Sequence, residues 1–192
     1  MEPAINREAL PHDVEGYRRE CRTVSMEEFE KARPYPFLLY ARSKLWDPEL
    51  VGMAMQDGGD ETRMVNYNIV SGGMTFLSPV RRIQQAAQIE TIALGRSPQG
   101  NDVVVPVNSV STKHAKFLPP SVSADQRWNL VDLDSRNGTF LGEQQLDPQK
   151  AYTLDDGVYI RLGGNLLAWF LYPGRLWQLF QNPAEFDRLT DF

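Results

Sequence analysis

The chain has 192 residues, of which 42% are hydrophobic and 23% charged, values that are ordinary for a globular protein with a core of its own. The formal net charge of −5 argues against a general binder of nucleic acid or anionic membranes. One cysteine, Cys21, excludes an intrachain disulfide, and two histidines are too few for a zinc site of cysteine and histidine. We therefore expect no metal and no cofactor.

The N-terminal part of the chain is polar and predicts little regular structure before one short helix. Acids and prolines stand where a secretory signal needs an apolar run, and no stretch approaches the ~18 apolar residues of a membrane span, so we expect a cytoplasmic protein. Residues 1–22 are interpreted as a loose arm. Ser25 and Glu28 have the spacing of a capping box, which predicts a helix over residues 26–32.

The middle of the chain contains short apolar segments that are typical of strands. FLLY at 37–40 is either a strand or a buried helix turn, and QDGGDET at 56–62 is a loop. From residue 64, MVNYNIV and MTFLSPVRR predict two strands joined by a glycine turn. Further predicted strands follow at short intervals, with turn residues between them: TIAL (91–94), DVVV (102–105), AKFL (115–118), RWNLVDL (127–133), TFLG (139–142), VYIRLG (158–163) and LLAWFLY (166–172). This spacing is typical of an all-β sandwich or barrel.

The last twenty residues return to helical spacing. Leu176, Leu179 and Phe180 share one face of a predicted helix that begins after Pro173. Pro183 is placed to open a second short helix, predicted over residues 184–190. We expect these two helices to cap the sandwich or to contact something else.

Three loop motifs carry the side chains that a phosphothreonine site needs. A guanidinium matches phosphate oxygens with its planar fork, a hydroxyl donates to a further oxygen, and a side-chain amide can grip an extended peptide backbone. Arg96, Ser111 and Asn137 supply these groups, each on a loop after or between predicted strands. Loops at one end of a rigid scaffold are where binding residues concentrate.

The motifs, taken in order, resemble those of the forkhead-associated (FHA) domain. They are GRS, ND, VSxxHA, DLxSxNGTF and a final LxDG with IxLG, spread over about residues 74–172. The resemblance implies an FHA-type all-β sandwich of about eleven strands that binds phosphothreonine peptides and catalyses nothing. We expect an N-terminal extension at 1–63, an FHA domain at 64–172 and a helical tail at 173–192.

The resemblance also implies roles for individual residues. Arg96 and Ser111 would contact the phosphate, and Asn137 would hold the peptide backbone. Further peptide or phosphate contacts would come from Thr112, Arg136 and Ser109, and structural support from Gly95, His114 and Gly138. Several positions depart from the family pattern. Asp134 replaces a glycine, and Thr112 replaces a frequent basic residue, which suggests a less positive pocket. The other departures are at Val107, Gly142, Glu143 and Val158.

Alternatives stay open at this stage. The expected partner is a threonine-phosphorylated protein, either a kinase or a kinase substrate, and phosphorylated Thr23 or Thr62 could also dock into the module itself. A phosphate-independent scaffold could instead use the first seventy residues and the Leu176–Phe180 face. A hydrolase using Ser111 and His114 is disfavoured, because the sequence has no nucleophile elbow of the Gly-x-Ser-x-Gly type.

Overall fold

A computed structural model describes residues 12–41, 75–83 and 91–191. Within these residues the chain forms twelve strands: β1 His12–Asp13, β2 Phe37–Tyr40, β3 Phe76–Pro79, β4 Ile92–Gly95, β5 Val103–Val104, β6 Ala115–Leu118, β7 Asn129–Asp132, β8 Thr139–Leu141, β9 Gln144–Gln145, β10 Ala151–Thr153, β11 Val158–Leu162 and β12 Leu166–Leu171. The described helices are α1 Val14–Cys21, α2 Met26–Ala32, α3 Pro173–Gln181 and α4 Pro183–Thr190.

The strands form two sheets that enclose the main core. One sheet has seven strands in the order β1-β3-β2-β12-β11-β8-β9, and the other has five in the order β10-β7-β6-β4-β5. The described pairings are antiparallel except β4 with β5. Phe117 and Phe170, one from each sheet, stack in the core with ring centroids 6.1 Å apart. The predicted all-β sandwich is confirmed.

The apolar strand β12 is buried on both faces. It lies between β2 and β11, and its residues Leu166, Ala168 and Phe170 point into the core between the sheets. Trp169 and Leu171 belong to a second apolar cluster on the outer face of the seven-stranded sheet. Because both faces are buried, the LLAWFL segment lacks the alternation of apolar and polar residues found in strands with one solvent-exposed face.

Four helices cover that outer face. Phe29 of α2, Leu176 of α3 and Phe186 of α4 pack in one cluster with Phe37 and other outward-facing residues of the sheet. Each buried side chain of this size is worth roughly 1.5–3 kcal/mol relative to exposure. The helices therefore protect an apolar sheet face that water would otherwise reach.

The structure corrects one N-terminal prediction and confirms another. The interpretation of residues 1–22 as a loose arm is wrong for its second half, because residues 14–21 form α1 with Val14 and Cys21 buried. The predicted capping box of α2 is confirmed: Ser25 Oγ accepts from the Glu28 N–H at 3.2 Å, and Glu28 Oε2 accepts from the Ser25 N–H at 2.8 Å.

Several other predictions can be compared with the structure. FLLY is a strand, and both C-terminal helices are present. Strands β9 and β10 were not predicted. The predicted strand at 64–70, the loop at 56–62 and Thr62 lie outside the described residues. The boundaries 1–63, 64–172 and 173–192 stay a prediction, although β2 pairs directly with β12.

In the part of the chain that the structure describes, no helix combines the length and the apolar character that crossing a bilayer requires.

Candidate functional site

Three loops meet at one end of the five-stranded sheet, and we call this region the three-loop end. The loops are residues 96–102 after β4, residues 105–114 before β6, and residues 133–138 after β7. Strand pairing forces them together, since Leu94 pairs with Ala115 and Ala115 pairs with Asp132. The end of β4, the start of β6 and the end of β7 are therefore neighbours.

Arg96 is attached to the neighbouring loop by its backbone and by its side chain. Its N–H donates to the Ser111 carbonyl at 2.9 Å, and its Nε donates to the Val110 carbonyl at 3.2 Å. The side chain is exposed and forms no ion pair with any carboxylate of the described residues. The Nε contact orients the guanidinium and leaves its Nη donors available for a ligand.

Ser111 connects the second loop to the third. Its Oγ accepts from the Arg136 N–H at 3.0 Å, so the hydroxyl proton is still available for donation. The His114 imidazole accepts from the backbone N–H of Ser111 at 3.0 Å, and not from its hydroxyl. The serine–histidine pair that a hydrolase would need is therefore not formed in this geometry.

Asn137 makes a second link between the same two loops. Its Nδ2 donates to the Ser109 carbonyl at 2.8 Å, while the residue as a whole is exposed. The amide oxygen is therefore presented as an acceptor at the rim. Thr112 and Arg136 are also exposed there, and Ser109 is half-buried. The structure thus brings the predicted ligand-contacting residues to one end of the molecule.

His114 lies fully buried beneath these loops. Because Nδ1 accepts a hydrogen bond, the neutral ring carries its proton on Nε2. Burial lowers the pKa of the imidazole, against the opposing effects of the Asp132 carboxylate and the Gly138 carbonyl. The Gly138 carbonyl is only a weak polar neighbour, since Nε2 makes no well-formed hydrogen bond within the described residues. The ring is therefore neutral at pH 7 and braces the loops.

Asp132 closes the third loop, a role that the motif analysis missed. Its carboxylate accepts from the Ser135 N–H at 3.0 Å, the Ser135 hydroxyl at 2.6 Å and the Thr139 hydroxyl at 2.5 Å. Burial raises the pKa of Asp132, but these hydrogen bonds outweigh it and hold the pKa below its usual value. The available signal was an aspartate placed just before a Ser-x-Asn-Gly turn, because aspartate side chains bond to the backbone of such turns.

The backbone geometry explains two of the predicted glycines and one departure from the family. A Cβ at Gly95 would lie 2.3 Å from the Thr112 carbonyl oxygen, so no larger residue fits there without movement. Gly138 has a φ of +77°, which glycine adopts without strain. Asp134 has a φ of +60°, so the family's glycine at this position meets a real backbone demand that aspartate tolerates.

Within residues 12–41, 75–83 and 91–191, no group of three or more histidine, cysteine, aspartate or glutamate residues is placed to hold a metal ion.

Known proteins resemble this chain over the segment that carries the three loops. The FHA domain family model matches residues 92–163. An FHA domain-containing protein of Arabidopsis thaliana is 38% identical over 73 residues, which make up 38% of this chain and 18% of that protein. The solved FHA domain of an Arabidopsis thaliana hypothetical protein is 24% identical, covers 72% of this chain and 86% of that chain, and has a TM-score of 0.42.

A second solved structure comes from an analysis of phosphothreonine-dependent FHA domain interactions. It is 24% identical, covers 53% of this chain and 88% of that chain, and has a TM-score of 0.37. The match to the curated relative spans less than a fifth of that protein's length. The resemblance seen in the loop motifs is confirmed by the FHA domain family model, which matches residues 92–163 of this chain.

Proposed function

We propose that the three-loop end binds a phosphothreonine-containing segment of a partner protein. The observation that supports this most directly is that Ser111 forms a hydrogen bond to each of its two neighbouring loops. The Ser111 carbonyl accepts from the Arg96 N–H, and the Ser111 hydroxyl accepts from the Arg136 N–H. A guanidinium, a hydroxyl and an amide are thereby held at one rim before any ligand arrives, which lowers the entropic cost of binding.

The proposed contacts follow from the chemistry of each group. Arg96 would bind two phosphate oxygens through its Nη donors, and Ser111 would donate its hydroxyl proton to the phosphate. Asn137 would accept a peptide N–H through Oδ1 while Nδ2 stays on the Ser109 carbonyl. Thr112, Arg136 and Ser109 would flank the peptide.

Charge at the rim also suits an anionic ligand. Arg96, Lys113 and Arg136 are exposed, and none forms an ion pair with a carboxylate of the described residues. The acid on the same loops that is exposed with them is Asp134. The chain as a whole has a net charge of −5, but cations outnumber acids at this rim. This local positive charge would attract a phosphate group even though position 112 is a threonine and not a basic residue.

The partner would be a kinase or a kinase substrate, and the module would act in signalling. Self-docking through Thr23 would take place between copies of the chain. Thr23 is exposed, but the adjacent segment is held to α3, where Gln181 binds the Cys21 carbonyl and Trp177 binds the Val24 carbonyl. These contacts hold the segment around Thr23 against α3.

An oriented peptide library that compares phosphothreonine, phosphoserine and unmodified threonine tests the proposal. We expect phosphothreonine to bind tightest and unmodified threonine not to bind measurably. Equal retention of all three peptides would contradict the proposal and would favour a phosphate-independent scaffold. The Leu176–Phe180 face is not free for that alternative, because Leu176 and Leu179 are fully buried against the sheet.

A further inference from the structure

A buried amide joins the two loops that carry Arg96 and Ser111. Asn101 lies two residues before β5, and its side chain is completely buried. Its Nδ2 donates to the Ser97 carbonyl and to the Thr112 carbonyl, both at 2.8 Å. These two carbonyls belong to the residues that directly follow Arg96 and Ser111. A single NH₂ group therefore spans the two loops immediately beside both proposed phosphate contacts.

The surrounding backbone shows how much of the loop spacing depends on this amide. The Arg96 N–H bonds the Ser111 carbonyl at 2.9 Å, but the neighbouring backbone bond between the same loops, from the Ser97 N–H to the Thr112 carbonyl, is stretched to 3.5 Å. The Asn101 donor, at 2.8 Å, is the shorter contact to the Thr112 carbonyl. The side chain therefore makes the closer link between the loops at this point.

The neighbouring glycine keeps this place open. A Cβ at Gly95 would lie 2.9 Å from both amide atoms of Asn101 as well as 2.3 Å from the Thr112 carbonyl. Contacts under about 3 Å do not occur for real Cβ atoms, so alanine at 95 would push the amide away from its acceptors. Gly95 therefore leaves the space that the Asn101 amide occupies. From that position the amide donates its two hydrogen bonds.

We infer that Asn101 is a positioning residue that fixes the distance between Arg96 and Ser111 and so sets the affinity of the three-loop end for phosphate. The inference rests on the proposed phosphothreonine function. Asn101 is buried and does not touch the ligand. It would affect binding by holding the Ser97 and Thr112 carbonyls, and these residues directly follow Arg96 and Ser111. In a water-excluded site such hydrogen bonds resist deformation more than exposed ones do.

Asn129 provides a matched control. It is also a buried asparagine, and its Nδ2 likewise donates twice, to Asp125 Oδ1 at 2.7 Å and to the Arg127 carbonyl at 3.0 Å. It stands at the start of β7, whose other end leads into the third loop, so it lies at the far end of the sheet. Asn101→Ala and Asn129→Ala each remove a buried amide that donates twice, from opposite ends of the sheet.

The experiment combines amide hydrogen exchange of the free full-length protein with titration of a phosphothreonine peptide. For Asn101→Ala we expect exchange at the Arg96 amide to accelerate about tenfold and the dissociation constant to rise about tenfold. Asn129→Ala should leave both quantities within about twofold of wild type, although both variants lose stability. Asn101→Ser is measured alongside in case the alanine variant does not fold; its hydroxyl has one proton and so cannot donate to both carbonyls.

The outcomes separate the two proposals. Unchanged peptide affinity in folded Asn101→Ala or Asn101→Ser, or an equal loss in Asn129→Ala, would overturn the positioning role. A wild-type protein that binds no phosphopeptide would overturn the proposed function. In that case, the exchange rate at the Arg96 amide would still decide whether Asn101 holds the loops together.

Discussion

Replacing Arg96 with alanine should weaken phosphopeptide binding far more than it weakens the fold. The side chain is exposed, and its described contact within the protein is one hydrogen bond from Nε to the Val110 carbonyl. Losing that bond should lower the free energy of unfolding by about 0.5–1.5 kcal/mol. Losing a charge-assisted contact to phosphate should lower the binding free energy by about 1.5–3 kcal/mol, which raises the dissociation constant about 10- to 150-fold.

The assay is fluorescence anisotropy with a labelled phosphothreonine peptide, together with urea unfolding of each variant. Lys113→Ala serves as the charge control, since it removes an exposed cation from the same end without removing a guanidinium fork. Arg96→Lys keeps the charge but loses both the fork and the Nε anchor, so its affinity should stay well below wild type. Wild-type affinity in Arg96→Ala, or an equal loss in Lys113→Ala, would refute the assignment of Arg96 as the specific phosphate ligand.

Two further predictions concern the support of the loops. Burial lowers the pKa of His114 below its ordinary 6.5, so the unfolded chain takes up a proton at a higher pH than the folded one does. The free energy of unfolding should therefore fall as pH drops below 6.5, by up to about 1.4 kcal/mol per pH unit; urea titrations should show a flatter profile for His114→Gln, and parallel profiles would contradict this. Asp134→Gly should be as stable as wild type or up to about 1 kcal/mol more stable, because φ is +60° there, whereas Asp134→Ala should show no gain in the same unfolding assay.

The part of the fold that the sequence predicts well is the part whose burial is regular. The AKFL segment is strand β6 to the residue, and its burial alternates as a strand with one inner face requires. The capping box of α2 is equally local, since both of its hydrogen bonds lie within four residues. Such features need no knowledge of the rest of the chain, so pattern analysis finds them.

Other elements exist only because of distant packing. Helix α1 has few apolar residues, and Val14 and Cys21 become buried because the outer face of the seven-stranded sheet lies beneath them. Strand β9 is two exposed glutamines that pair with β8 at a sheet edge. Neither segment carries a periodic pattern of its own. Tertiary contacts stabilise α1 despite its polar composition, and pairing at the sheet edge stabilises β9.

The candidate site likewise contains residues that the sequence identifies and residues whose role it does not show. The exposed residues with ligand chemistry were identifiable from motifs, because guanidinium, hydroxyl and amide groups are visible in the sequence itself. The buried links were not: Asn101 and Asp132 stand within quoted motifs, but the motifs do not say which carbonyls and hydroxyls they meet. Such partners depend on strand register, since one residue of slip in β4 against β6 would separate Ser97 from Thr112.

The distribution of buried polar groups indicates why this end of the sandwich can be both exposed and rigid. Four of the nine buried polar residues in the described part of the chain, Asn101, His114, Asp132 and Thr139, support the three loops by their hydrogen bonds. A fifth, Asp102, lies in the first loop but accepts from the Ile83 and Ala93 amides. A buried polar group that loses its partner destabilises a protein by about 1–3 kcal/mol, so each link resists the loop movement that would break it. In the second loop Val105, Val107 and Val110 are buried in the main core, whereas hydrogen bonds anchor the first and third loops. It follows that the two tasks are carried by different residues: changes at Arg96 and Asn137 should alter affinity with little loss of stability, whereas changes at the four buried residues should alter both together.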